Sequence, residues 1–241
     1  MKIFTSAVIK GGTGKTTTTA ALAQLAVSQG KKVLAIDTDP QSNLTIMLGG
    51  DSNVTGTNQL LQGVVFADCV QHTEQDIDLI SGNPELAVFD GKSNSLKKAI
   101  EPIKKDYDYI FIDTPPMIGK LTYNALFACD ELLIPLESDM NSLEGLFQIT
   151  DIAKRINTKR AENPLIVAGV VLTRYDGRAK LNKLIRDKIE NACNDMSIPF
   201  LGCVRTSIAI REAQAMQKSI YIYAQKCNSA IDYLNIYTKI K

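Results

Sequence analysis

One run near the start constrains this chain more than any other: Lys10-Gly11-Gly12-Thr13-Gly14-Lys15-Thr16-Thr17. An apolar stretch at residues 3–9 precedes it and reads as a strand. A helical pattern at residues 15–29 follows it, with Gly30 in the C′ place. A glycine-rich loop between a strand and a helix is the setting of a phosphate cradle. Glycine at positions 11, 12 and 14 lets main-chain N–H groups turn together toward an anion. The start of the helix adds partial positive charge. Lys15 is placed to reach β- and γ-phosphate oxygens, the Thr16 hydroxyl to ligate Mg²⁺, and Thr17 to bond the α-phosphate. An empty glycine turn would not need lysine and threonine in these places.

The rest of the chain alternates short apolar runs with longer amphipathic ones. Strands are expected at 3–9, 33–37, 77–81, 109–113, 131–136, 166–173 and 200–204. Helices are expected at 15–29, 95–105, 121–128, 143–160, 178–194 and 229–240. Repeated strand–helix–strand units imply an α/β fold, a doubly wound, mostly parallel sheet flanked by helices. At 241 residues the chain suits one domain spanning 1–241. The polar, turn-rich stretch 49–63 reads as a surface excursion within it. With 27 basic and 26 acidic residues the chain is no bulk polycation, though charge can still gather on one face. No run approaches the roughly 18 apolar residues of a membrane span, and residues 1–10 do not read as a signal peptide, so a cytoplasmic protein is expected. The five cysteines form no Cys-x-x-Cys pair and His72 is the single histidine, a pattern of reduced core thiols rather than of a zinc site or disulfide frame.

Hydrolysis of a nucleotide needs acids for Mg²⁺ and for the attacking water. Asp37 and Asp39, in Val33-Leu34-Ala35-Ile36-Asp37-Thr38-Asp39-Pro40-Gln41, close the second strand. Alternation places them on one side, facing the crevice at the strand ends. Asp39 before Pro40 also suits a plain turn. Asp113 ends the apolar strand Tyr109-Ile110-Phe111-Ile112-Asp113, a Walker B pattern, and would hold Mg²⁺ through water.

The loop departs from Gly-x-x-x-x-Gly-Lys-Thr: Ile9 stands where the first glycine belongs, and a second lysine, Lys10, lies five residues before Lys15. In this it resembles the deviant Walker A ATPases of the ParA/MinD family, whose pattern is Lys-Gly-Gly-x-Gly-Lys-Thr-Thr. That resemblance implies ATP and Mg²⁺ as ligands and a homodimer when ATP is bound. Lys10 would cross the dimer interface to the partner's phosphates. Asp39 would position or polarise the attacking water, with Asp37 nearer the metal. The segment 114–119 resembles a switch that senses the γ-phosphate. Segment 136–146 looks like the part that reaches across the dimer, with Asp139 at the partner's ribose. Segment 171–178 is similar to the base-side segment, so Thr173 and Arg174 join the expected nucleotide contacts, and Arg205 is expected with them. Residues 209–213 fall where the family has a Leu-Ser-Glu-Ala-type run.

Within this family, members divide by surface. ParA-like members bind DNA nonspecifically with a ParB-type activator, and MinD-like members dock on membrane through a basic amphipathic C-terminal helix. Ile231, Leu234 and Tyr237 recur at helical spacing in the last segment and are expected to pack on the core. Only Lys239 and Lys241 there are basic, too few for strong lipid attraction. Positive charge gathers at Arg178, Lys180, Lys183, Arg186 and Lys188, and at Lys154, Arg155, Lys159 and Arg160. Such groups suit phosphate contacts, or merely solvated helix faces. Arg178 matches a DNA-contact position of the family. A second such arginine falls on Ala209, with Arg205 or Arg211 as substitutes. The leading expectation is therefore a nucleoid-associated partition ATPase of ParA/Soj type, weak alone and stimulated by a partner. The first strand starts almost at once, so an N-terminal helix-turn-helix is not expected. The alternatives are a MinD-like membrane-positioning ATPase and a nucleotide-gated scaffold with negligible turnover. An electron carrier with an interfacial iron–sulfur cluster would need paired cysteines, and Cys129 has no convincing mate.

Overall fold

A computed structural model describes residues 1–160 and 162–240; Lys241 lies outside the described residues. In chain order the elements are β1 (Lys2–Ser6), α1 (Lys15–Ser28), β2 (Val33–Asp37), α2 (Asn43–Met47), α3 (Thr57–Leu61), β3 (Val70–His72), β4 (Asp78–Ile80), α4 (Ser95–Ile100), β5 (Tyr109–Asp113) and α5 (Lys120–Ala128). There follow β6 (Glu131–Glu137), α6 (Ser142–Asn157), β7 (Ile166–Tyr175), α7 (Lys180–Asp195), β8 (Phe200–Arg205), α8 (Ile208–Ala215), α9 (Ile220–Tyr223) and α10 (Asn228–Ile240). The strands form one sheet in the order β3-β4-β2-β5-β1-β6-β7-β8, parallel throughout except for the β3–β4 pair. This is the doubly wound, mostly parallel architecture expected from the alternation.

Strand alternation explains how both faces of the sheet are covered. In β2, Leu34 and Ile36 join one core with Leu126, Ile149 and Ile189 of α5, α6 and α7. Val33 and Ala35 join the other, with Leu22 and Leu25 of α1 and Tyr233 and Tyr237 of α10. Side chains buried this completely contribute about 1.5–3 kcal/mol each when Leu- or Ile-sized. Helix α1 is buried along most of its length from Lys15 to Ala26, because it lies between the sheet and α10.

Several boundaries differ from the sequence reading. β1 ends at Ser6, and the loop takes residues 7–14. The helix expected at 95–105 stops at Ile100 and gives way to a short 3-10 turn at Lys104–Asp106. Pro102 lacks an N–H, so the helical hydrogen-bond ladder cannot run on through it, although Glu101 before it keeps helical angles. The excursion at 49–63 carries α3, whose Thr57 is fully buried and donates to the Asp37 carbonyl oxygen at 2.8 Å, so this part belongs to the packed structure. Strand β3 and helices α2, α8 and α9 were not expected; each is short, from three to eight residues, and too brief to show a period. Of the expected C-terminal stripe only Tyr237 packs on the core, while Ile231 and Leu234 are exposed. No described helix is long and apolar enough to cross a membrane.

Candidate nucleotide site

The carboxyl ends of β1, β5 and β2, neighbours in the sheet, converge on one crevice. The phosphate loop leaves β1 there. Gly12 and Gly14 have φ of 79° and 82°, left-handed backbone that L side chains rarely adopt. At Gly14 a Cβ would also press on Thr173 at 3.2 Å. α1 begins with no side-chain cap and no acid in its first turn, which leaves its leading N–H groups for an anion. The loop lines a cavity of about 250 Å³ together with Asp39, Gln41, Asn43, Met47, Pro116 and Arg174.

Lys15 is almost wholly buried, and its Nζ donates to the Lys10 carbonyl oxygen at 2.8 Å. Burial pulls its pKa down; the carboxylates of Asp113 and Asp39 oppose that pull. The Thr17 hydroxyl accepts from Gln214 Nε2 at 3.2 Å. Thr13 offers its carbonyl oxygen to Thr173 Oγ1 at 2.8 Å, which ties the loop to β7.

The three acids differ sharply. Alternation was expected to bring Asp37 and Asp39 to one side of the crevice, but β2 ends at Asp37 and the rule does not extend beyond it. Asp37 is fully buried. Its Oδ1 accepts from Asp39 N at 3.0 Å, and its Oδ2 from Thr45 N at 2.9 Å and Thr45 Oγ1 at 2.8 Å. Burial still pushes it up to about 6, against those hydrogen bonds. Asp37 thus shapes the turn, and Thr45, which no motif marks, is its partner. Asp39 alone lines the cavity; its Oδ1 accepts from Gln41 N at 2.9 Å, so the turn role and the site role coexist. Asp113 is fully buried, and neither carboxylate oxygen has a hydrogen-bond partner among the described residues. Burial raises its pKa well above the carboxylate range, the negative neighbour Asp37 adds to this, and Thr16 and Lys15 work against it. A buried acid with open lone pairs beside a threonine hydroxyl fits Mg²⁺ and its water shell, so Asp113 suits the metal better than Asp37.

That shift carries a prediction with a definite sign. Because the folded value lies above the unfolded one, the nucleotide-free chain gains stability from this proton at low pH and loses it as pH rises through the raised value. Asp113→Asn should flatten the fall in Tm as pH rises above the ordinary carboxylate range. It should also remove Mg²⁺-dependent nucleotide binding. Thermal scans and titrations with and without Mg²⁺ read both effects, and an unchanged pH slope would contradict the assignment.

The remaining expected residues fall into place unevenly. Lys10 lies on the rim, where its ammonium pairs with Asp139 of the same chain and stands 3.8 Å from Glu137 Oε2. Burial would raise Asp139, but Lys10 holds it below its usual range. Glu137, which no motif singles out, also accepts from Arg174 Nη1 at 2.9 Å. Arg174 has a left-handed φ of 51°, rare for an arginine and typical of strained functional positions. Next to the loop a second hollow of about 70 Å³ is lined by Gly14, Thr17, Thr173, Arg174, Arg205 and Arg211, among others. Arg205 is clamped by Asp232 through Nε at 2.9 Å and Nη2 at 2.7 Å. Arg178 is exposed but forked onto Asp176 at 3.0 Å through Nε and Nη2. Arg160, expected with a basic face, is buried and donates to the carbonyl oxygens of Cys129 at 2.6 Å and Leu126 at 3.3 Å, so it is removed from any such face.

Fold and site together define a P-loop ATPase. Comparison with known proteins agrees. The AAA domain family matches residues 1–167. The sporulation initiation inhibitor protein Soj of Bacillus subtilis (strain 168) is 32% identical over 238 residues, covering 94% of this chain and 93% of Soj. A Cyanothece McdA variant in complex with ATP superposes with a TM-score of 0.86 at 25% identity, over 99% of this chain and 95% of that one. The septum site-determining protein MinD of Pyrococcus horikoshii OT3, complexed with Mg-ADP, does so with a TM-score of 0.84 at 25% identity, over 100% and 96%. The chain belongs to the ParA/MinD family of P-loop ATPases, to which Soj also belongs, and its ligands are ATP and Mg²⁺.

Proposed function

We propose that this chain is a single-domain partition ATPase. Two copies close over two ATP molecules, the pair binds DNA without regard to sequence, and a centromere-binding partner of ParB type triggers hydrolysis and release. The observation that carries this reading is the pair of lysines. Lys15 fills the cradle, while Lys10 stands outside it on the rim, half-buried beside Glu137 and Asp139. A cation so placed does nothing for its own cradle and suits a second subunit's phosphates. In this reading Lys10 exchanges Asp139 for those phosphates, and Asp139 turns to the facing nucleotide. Lys15 and the loop hold the triphosphate. Thr16 and Asp113 hold the metal, and Asp39 positions the water.

For DNA, Arg211, Lys180 and Lys183 supply exposed charge. Arg178 would trade its exposed partner Asp176 for a phosphate at little cost, whereas Arg205 would have to leave Asp232, whose carboxylate is only 11% exposed and also accepts from Arg205 N. The membrane-positioning reading gains less support. The apolar face of α10 (Tyr233, Ile236, Tyr237 and Ile240) is buried on the sheet, and Lys239 Nζ donates to the Leu201 carbonyl oxygen at 2.6 Å. DNA retention measured with ATP, ADP and no nucleotide tests the proposal. Retention only with ATP is expected, with a log–log salt slope of about −0.9 per phosphate neutralised. Equal retention in all three states, or ATP-dependent flotation with anionic liposomes instead, would overturn it.

A further inference from the structure

A cavity of about 500 Å³ opens away from the phosphate loop, among the C-terminal half of α1, the turn between β3 and β4, α9 and α10. Its size falls within the range of binding pockets, about 300–1,000 Å³. None of residues 10–17, Asp39 or Asp113 lines it. Among polar lining residues such as Ser28, Gln29 and Gln225 stand larger apolar side chains: Leu25 and Val27 from α1, Ile222 from α9, and Ile231 and Leu234 from α10. Three of these are left to solvent, with Ile222 78%, Ile231 42% and Leu234 39% exposed. Packing does not demand them, because α10 already docks on the sheet through Tyr233, Ile236, Tyr237 and Ile240. Ile231 and Leu234 form an extra stripe at i and i+3 that nothing in the chain covers among the described residues.

The base of this cleft is fixed. Gln24 Nε2 donates to Gln75 Oε1 at 2.8 Å, and Gln75 Nε2 donates to the carbonyl oxygens of Met47 at 3.0 Å and Gln217 at 2.9 Å. Gln24 Oε1 in turn accepts from Ile220 N, at 3.3 Å. On one side stand Glu74 and Asp76, and no described cation lines the cleft. Asp76 sits at the hairpin turn in left-handed backbone, φ 56°; its side chain is 84% exposed, with His72 Nε2 3.6 Å away.

We propose that this cleft docks a basic amphipathic segment of another protein. Apolar side chains at helical spacing would seat between Ile222 and the Ile231–Leu234 stripe, and a neighbouring lysine or arginine would meet Glu74 and Asp76. The occupant follows from charge and shape. The acidic side repels nucleic acid and anionic lipid. A two-fold contact with a second copy would set acidic rims against each other. An apolar patch that extends past the cavity onto an exposed helix face is the form of a helix-in-groove site rather than an enclosed pocket. The site is separate from the ATP crevice and does not depend on the DNA reading.

The test pans a displayed random-peptide library on the full chain and measures each selected peptide by fluorescence anisotropy. Peptides pairing Lys or Arg with Leu, Ile or Phe should be recovered. They should weaken by about tenfold or more on Ile222→Asp/Leu234→Asp and again on Glu74→Lys/Asp76→Lys, since central apolar anchors dominate such contacts. ATP binding by both variants shows that they are folded. Recovery of no binders, of acidic binders, or of peptides indifferent to both variants would overturn the proposal. So would a loss of liposome binding or of self-association, instead of peptide binding, in the Ile222→Asp/Leu234→Asp variant.

Discussion

Lys15→Ala is expected to weaken ATP binding by more than about a hundredfold, a loss of roughly 3 kcal/mol in a calorimetric titration. Two causes act together. The variant loses a charge-assisted contact to the triphosphate. It also removes the ammonium that now lies close to Asp113 and Asp39 inside the crevice, so the incoming polyanion meets a site with one positive charge fewer. Lys15 is almost wholly buried, and its Nζ rests on the Lys10 carbonyl oxygen, so no other described cation occupies the same depth. Binding within about threefold of the unaltered chain would remove Lys15 from the phosphate site. Because the side chain is buried, a melting curve must accompany the titration.

Asp39→Ala is expected to keep ATP binding and lower hydrolysis by about 10²–10⁴-fold, the usual contribution of a group that positions or activates the attacking water. The structure supplies a control. Asp39 Oδ1 also holds Gln41 N at 2.9 Å, so alanine removes both a turn contact and a carboxylate at the cavity. Asp39→Asn keeps an acceptor for that N–H and removes only the charge. If the turn were all that mattered, the asparagine variant would turn over normally. If Asp39 acts on water, both variants are slow. Phosphate release under single-turnover conditions separates these results.

Much of this site was legible in the sequence because its chemistry depends on contiguous residues. The cradle runs from position 10 to 17, and each Walker-type acid ends a strand whose apolar run is visible. Legibility failed where partners come from elsewhere in the chain. Asp37 reads as a metal ligand until Thr45 is seen to fill Oδ2, and no pattern links the two. Arg178 and Arg205 read as free positive charge until Asp176 and Asp232 are found beside them. Arg160 reads as surface because arginines usually are, but the carbonyl oxygens at the end of α5 draw it inward. Helical spacing marked Ile231, Leu234 and Tyr237 as the core-facing stripe of α10, and only Tyr237 of the three packs on the core. It could not say which side of the helix the sheet would take, and Ile231 and Leu234 stayed outside.

Lys10 and Asp139 are the sharpest case. Their family resemblance implies contacts across two subunits, while in the single chain they are ion-paired with each other. The two descriptions are compatible if ATP offers Lys10 a better anion on the facing copy, because a ligand shifts a population only by binding one state more tightly. The direct test is the mass of the Asp39→Ala protein saturated with Mg·ATP, measured by multi-angle light scattering beside the ADP form. Two chains are expected with ATP, one chain with ADP, and one chain again when Lys10→Ala is added. A single chain in every state, or a dimer that survives the loss of Lys10, would contradict it.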